Sequence, residues 1–247
     1  MNIISVENLN FSFDKNKIFS NVSFDIRKGS LVSITTPSSK GKTTMLNLIN
    51  GNIYSPNIYI NSKSKLKIST IYTNVNFYSK TILEELLLVS SNLNKIKRLL
   101  KEFNLINYIN QSPLNLNYVQ MHKLNLIKII LNKSEIILMD NIFSYFDKYS
   151  KIEFIGLLKK YQQEKNITII YTTNNLDDTI FCDKIIIIDK ELLYDGSLDK
   201  IYMNSSVIKK AKLNVPLENE LMEKLNLYNV IDNTSYTIED VVEEICK

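Results

Sequence analysis

Glycine is scarce in this chain, with five residues in 247, and alanine occurs once, at Ala211. Asn, Lys, Ile, Tyr and Phe crowd the sequence instead, a bias that AT-rich coding produces without selection for any activity. A glycine missing from a motif therefore weighs less here than it would in a balanced composition. Cysteine is nearly absent. Cys182 and Cys246 form neither a disulfide framework nor a metal-binding spacing, which suits a reducing compartment. Apolar runs such as Ile185 to Ile188 fall far short of the ~20 residues that a membrane-spanning helix needs. The opening Ile3-Ile4-Ser5-Val6 lacks a basic stretch followed by an apolar one, so no secretory leader is expected. The net charge of +4 is mild. It permits an acidic ligand such as a nucleotide but does not call for nucleic acid, whose binders concentrate Lys and Arg on one face.

What is present describes a globular chain. Hydrophobic residues make up 45% and charged residues 23%, enough for one substantial core or one core plus a small appendage. Apolar residues alternate from Ile4 to Phe13 and again from Val22 to Ile26, the pattern of an antiparallel pair of strands. Leu31 to Ile34 reads as a short buried strand, and from Lys42 to Ile49 the period becomes helical until Gly51 ends it. A further strand is expected over Ile68 to Tyr72, then mostly helix from Thr81 to Ile109 and another helix from Met121 to Leu131. The single His122 falls in that last helix and reads as structural or exposed rather than catalytic. Strands that are β-branched or aliphatic runs, at Ile136–Met139, Ile167–Tyr171 and Lys184–Ile188, alternate with helices near Lys148–Lys165 and Leu176–Phe181. That alternation implies an α/β fold with a mainly parallel sheet covered on both faces. The main domain is expected to span 1–205, with a helical lobe at about 80–132. Beyond Asn204-Ser205-Ser206 the composition shifts to a small helical tail, 206–247, with short helices at Glu218–Leu225 and Thr237–Ile245.

The chemistry concentrates where the strand Leu31–Ile34 runs through Thr36-Pro37-Ser38-Ser39-Lys40-Gly41-Lys42-Thr43-Thr44 into a helix. The pattern sought there is G-x-x-x-x-G-K-[ST]. Backbone amides and a helix N-terminus face the phosphates, the Lys reaches the outer ones and the hydroxyl meets Mg²⁺. Gly41, Lys42 and Thr43 fit this pattern, whereas Thr36 holds the first glycine position. Ser39 also stands where many such loops carry glycine. A Cβ is disfavoured wherever φ must be positive, so a distorted or weaker loop is expected.

Several further fragments, in order and spacing, resemble the ATP-binding-cassette (ABC) ATPases across nearly the whole chain. Val6-Glu7-Asn8-Leu9-Asn10-Phe11-Ser12-Phe13 is similar to the family's opening strand, and the resemblance puts Phe13 against adenine. Ile137-Leu138-Met139-Asp140 is similar to the strand ending in the Asp that supports Mg²⁺; Thr43 and Thr73 complete that expected metal set. Leu116-Asn117-Tyr118-Val119-Gln120 stands where the family carries its interface motif, and Ser144-Tyr145-Phe146-Asp147 resembles the loop that crosses the dimer interface. The tail from Leu213-Asn214-Val215-Pro216 onward is similar to the C-terminal extension of energy-coupling-factor transporter ATPases. That resemblance implies a P-loop cassette binding ATP and Mg²⁺ and paired through its tail with a second ATPase subunit. It also implies docking on a membrane scaffold protein at the cytoplasmic face, so that membrane contact is indirect.

The departures are chemical. Asn141 stands where the family has its catalytic Glu, Asn174 where it has its switch His, and Thr73 where it has a glutamine. Tyr118 and Val119 replace two glycines of the interface motif and are expected to obstruct a partner's γ-phosphate. A carboxylate can take a proton from attacking water, whereas an amide only accepts a hydrogen bond. The leading expectation is an importer subunit with a degenerate hydrolytic site. The alternatives are a catalytically inactive ATP-binding partner in a heterodimer, a soluble non-transport ABC protein, or a decaying paralogue.

Overall fold

A computed structural model of the chain describes residues 1–36, 41–61, 66–202, 205–211, 213, 224 and 228. Pro37, Ser38, Ser39 and Lys40 lie outside the described residues, as do nearly all of 212–247, including the two expected tail helices.

In chain order the chain forms β1 (Asn2–Phe13), β2 (Asn16–Arg27), β3 (Leu31–Thr35), α1 (Lys42–Asn50), β4 (Ile58–Ile60) and β5 (Ile68–Ile71). Then come α2 (Ile82–Leu87), α3 (Leu93–Glu102), α4 (Tyr118–Leu131), β6 (Ile136–Met139), α5 (Lys148–Lys165) and β7 (Thr168–Thr173). β8 (Lys184–Asp189), β9 (Glu191–Gly196), α6 (Leu198–Tyr202) and α7 (Ser205–Lys210) follow. Two sheets result. One is antiparallel, in the order β2-β1-β4. The other runs β5-β6-β7-β3-β8-β9, parallel throughout except for β9, which returns antiparallel to β8.

The alternation of side chains along a strand decides which core each residue joins. In β6, Ile136 and Leu138 pack toward α1 and the antiparallel sheet, while Ile137 and Met139 face the helical side. Val32 and Ile34 of β3 and Ile170 of β7 join the first core; Leu31, Ile169 and Tyr171 join the second. Every residue of these three strands is buried, which explains why they read as runs of aliphatic and β-branched residues rather than as apolar–polar alternation.

Thr81–Ile109 is mostly helical, as expected, and is divided into α2, α3 and a 3₁₀ turn at Ile106–Tyr108. The breaks follow from capping. Thr81 and Glu84 form a reciprocal capping box that starts α2, and the Asn92 side chain accepts the Lys95 amide to start α3. Likewise α4 begins at Tyr118 rather than Met121, because Asn117 and Gln120 form a second capping box. The expected helix at Leu176–Phe181 is a 3₁₀ turn over Leu176–Thr179. β4 and the return strand β9 were not anticipated from the sequence.

Candidate functional site

β3 is the central route into the site. It lies between β7 and β8, fully buried, and its carboxyl end delivers Thr36 beside the end of β7, where Thr35 pairs with Thr173. Thr36 is buried and is absent from the positive-φ residues, so its Cβ costs nothing through backbone conformation. This corrects the expected strain at that position. Gly41 is different. Its φ is +104°, and an added Cβ would sit 3.0 Å from the Phe19 ring, so both conformation and space require glycine there. Gly41 caps α1 with no side-chain hydrogen bond, which leaves the first amides of the helix directed outward for an anion.

Three elements converge on Asp140. Its own amide donates to the Ile71 carbonyl at 2.8 Å, tying the end of β6 to β5. Its carboxylate accepts the Thr43 hydroxyl at 2.6 Å and the Thr172 hydroxyl at 3.0 Å. Its carbonyl accepts the Thr73 hydroxyl at 2.9 Å. Lys42 is 7% exposed; burial pushes its ammonium below the ordinary range, and the Asp140 charge pulls the other way. Lys42, Thr43, Thr73 and Asp140 thus form one cluster between α1 and the carboxyl ends of β5, β6 and β7. That edge is where an open parallel sheet collects its ligands.

Asn141 follows at φ 52° and ψ 35°, left-handed backbone that asparagine tolerates better than most residues, and its amide donates to the Thr172 hydroxyl at 2.9 Å. Thr172 therefore fixes both residues, a role the sequence reading missed because a threonine within a β-branched run shows only strand propensity. Asn174 is exposed just past the end of β7. The turn that carries it is held by Thr173, whose hydroxyl donates to Asp178, and by the Lys151–Asp178 ion pair at 2.8 Å.

Phe13 and Leu116–Gln120 lie outside the hydrogen-bonded cluster. Phe13 is 49% exposed at the tip of β1, edge-on to Phe11 with ring centroids 5.0 Å apart. Leu116 is buried, and Asn117 and Gln120 cap one another's amides at 2.9 and 3.0 Å. The Tyr118 ring packs against His122, Tyr145 and Phe146, with centroids 4.5, 5.2 and 5.8 Å away. Burial raises the Tyr118 phenol to about 12 and lowers the His122 imidazole to about 4. The Thr73 backbone opposes the His122 shift, yet neither ring nitrogen makes a hydrogen bond among the described residues. Asp147 caps α5 by accepting the Ser150 amide and hydroxyl at 2.9 and 2.6 Å, and these bonds hold its carboxyl below the usual range. The loop after Thr73 is anchored to the helices. Glu85 is fully buried, accepts the Tyr78 and Ser79 amides at 3.0 Å and pairs with Lys128.

The model of the family described as ABC transporter matches residues 19–144, just over half of the chain. The chain belongs to the ABC transporter family. An energy-coupling factor transporter ATP-binding protein of Fusobacterium nucleatum is 28% identical over 267 residues, with 97% of each chain covered. Another energy-coupling factor transporter ATP-binding protein, from Pediococcus pentosaceus, is 27% identical over 250 residues, covering 91% of this chain and 89% of that one. Among solved structures, a subunit of the CbiONQ ABC transporter complex of Clostridium perfringens superposes with a TM-score of 0.75 at 18% identity. It covers 90% of this chain and 99% of that one, and shows that this ABC ATPase shares the cassette fold. The chain is an ATP-binding subunit of an ABC transporter.

Proposed function

We propose that this ABC ATPase is the nucleotide-binding subunit of an energy-coupling-factor type importer and that it binds ATP·Mg²⁺ while hydrolysing it slowly or not at all. The observation that carries this reading is the 2.6 Å bond from the Thr43 hydroxyl to Asp140 beside the buried Lys42, with an amide, Asn141, at the next position. A hydroxyl and a carboxylate are the hard oxygen donors that Mg²⁺ takes alongside phosphate oxygens, so the donor set fits that ion. Bound there, Mg²⁺ would neutralise phosphate charge. Thr43 and Asp140 would hold it, with Thr73 steadying Asp140 through its backbone carbonyl. Lys42 and the uncapped amides of α1 would bind the phosphates, and Phe13 would lie on the base.

Hydrolysis needs more than binding. Losing a general base typically costs ~10²–10⁴-fold in rate, and losing one transition-state donor ~10²–10³-fold. Asn141 and Asn174 supply neither a titrating carboxylate nor an imidazole. The interface motif adds a second impairment. The Asn117–Gln120 capping box already occupies two of the amides at the start of α4, the helix end that would otherwise be turned toward the γ-phosphate of a paired subunit.

In this reading residues 1–205 are the cassette and 206–247 the extension through which two ATPase subunits pair, at the cytoplasmic face of the membrane. Among the described residues no helix is long and apolar enough to cross a membrane, which agrees with contact through a scaffold protein docked near Thr73 and the helical lobe. A regulatory subunit that clamps ATP without cleaving it is the second reading, favoured by Asn141 itself. Turnover of the assembled complex with a hydrolysis-dead partner tests the proposal. Residual activity at or near background is expected, and turnover at an ordinary ABC rate would refute the degenerate site. Co-purification with a hydrophobic scaffold protein supports transport; its failure in a complex that still contains the partner ATPase favours the regulatory reading.

A further inference from the structure

The phosphate loop leaves the carboxyl end of β3, and at the amino end of the same sheet lies a second concavity. A cavity of about 690 Å³ opens among the segments that enter β3, β6 and β7 and the nearby parts of α3, α4 and α5. β3 has five residues, so the two ends are ~16 Å apart at ~3.3 Å per residue. One ligand in the phosphate loop does not fill both.

The cavity is lopsided in charge. Six cationic side chains and three carboxylates line it, so positive charge is in excess, and each carboxylate has a partner. Glu102 accepts from Lys160 at 2.6 Å and from the Tyr161 hydroxyl at 2.8 Å, Glu164 shares Lys160 at 4.0 Å, and Glu135 accepts the Lys67 amide at 3.3 Å. Among the described residues no ion pair engages Lys28, Lys95, Arg98, Lys133 or Lys165. These groups feel one another. Burial first, then Lys133, Arg98 and Lys165, hold the Lys95 ammonium below its ordinary range. Arg98 is one of only two arginines in a chain that otherwise uses lysine, and its planar fork suits phosphate oxygens better than a point charge does. Beneath the cations, Leu99, Ile130 and Ile167 give the cavity an apolar floor.

We propose that this cavity is a second anion site that takes a small molecule carrying several phosphate charges. Its volume lies within the ~300–1,000 Å³ of small-molecule sites. The cations ring one concavity instead of forming a stripe, which favours a compact polyphosphate over a nucleic-acid strand. Such a ligand would bridge α3 of the helical lobe to α5 of the core, and so would link the relative position of those parts to its own concentration.

The test uses inorganic tripolyphosphate titrated calorimetrically into the full chain carrying Lys42→Ala, which disables the phosphate loop. Saturable binding is expected to persist, to weaken as salt rises, and to fall about tenfold or more when Arg98→Gln and Lys133→Gln are added. Both side chains are exposed and their like charges repel, so this double substitution is expected to leave the thermal midpoint unchanged or higher. Absence of saturable binding overturns the proposal, as does binding indifferent to Arg98 and Lys133. Equal affinity for inorganic orthophosphate would overturn the polyphosphate class.

Discussion

Asp140→Asn removes one charge and almost no volume from the most connected residue of the site. The carboxylate accepts two hydroxyl hydrogen bonds, from Thr43 at 2.6 Å and Thr172 at 3.0 Å, and is 7% exposed. A hydrogen bond to a charged group contributes ~1.5–3 kcal/mol and a neutral one ~0.5–1.5, so neutralisation costs about 1 kcal/mol per bond and ~2 in all. Lys42 also loses the one charge that offsets its burial, which adds to the same sign. For a chain of this size each kcal/mol moves the melting midpoint by ~2–4 °C, so a fall of ~4–8 °C or more is expected. Circular dichroism melts without nucleotide measure it directly. Thr172→Val serves as a second arm, because it removes one bond to Asp140 and strands the Asn141 amide that donates to Thr172 at 2.9 Å. If both variants melt with the wild type, the Thr43–Asp140–Thr172 cluster does not exist in solution and the proposed metal set falls with it.

Restoring a carboxylate with Asn141→Glu is expected to lower stability by ~1 kcal/mol, because the position is left-handed at φ 52°, while raising ATP turnover of the complex. A gain in both stability and rate, or a loss in both, would contradict this. Tyr118→Phe should stabilise by ~1 kcal/mol, since the Tyr118 hydroxyl is buried without a partner among the described residues; a lower urea midpoint would show that it has one. His122 is the only histidine, is fully buried, and is depressed to about 4, so the unfolded chain binds a proton near pH 6.5 that the native state refuses. Its contribution is intact above pH 6.5 and is lost as pH falls toward 4, by up to ~3 kcal/mol from the linkage relation. Urea titrations at neutral and acidic pH should show this slope in the wild type and a flatter one in His122→Phe.

The buried parallel strands were legible because burial on both faces leaves a signature in composition itself: Ile136–Met139 and Lys184–Ile188 admit few other interpretations. Lys42, Thr43 and Asp140 were legible because motif spacing carries their chemistry. What escaped notice depends on contacts distant in sequence. The return strand β9, with its Glu191 and Asp195, looks like a surface turn until β8 pairs with it. The divisions of Thr81–Ile109 were written in Thr81–Glu84 and Asn92, but the apolar period runs across them and masks the break. The same holds for Asn117 and Gln120, whose spacing is a capping box as well as part of an interface motif. The strain expected at Thr36 was an inference from residue type alone, and the backbone there has no left-handed φ.

Whether Lys42, Thr43 and Asp140 receive a triphosphate decides the rest. Equilibrium binding of ATP to the purified chain, with and without Mg²⁺, addresses it most directly. Saturable binding strengthened by Mg²⁺ and abolished by Lys42→Ala is expected, with no more than background phosphate release over the same period. Undetectable ATP binding by the wild-type chain, or binding untouched by Lys42→Ala, would contradict the assignment.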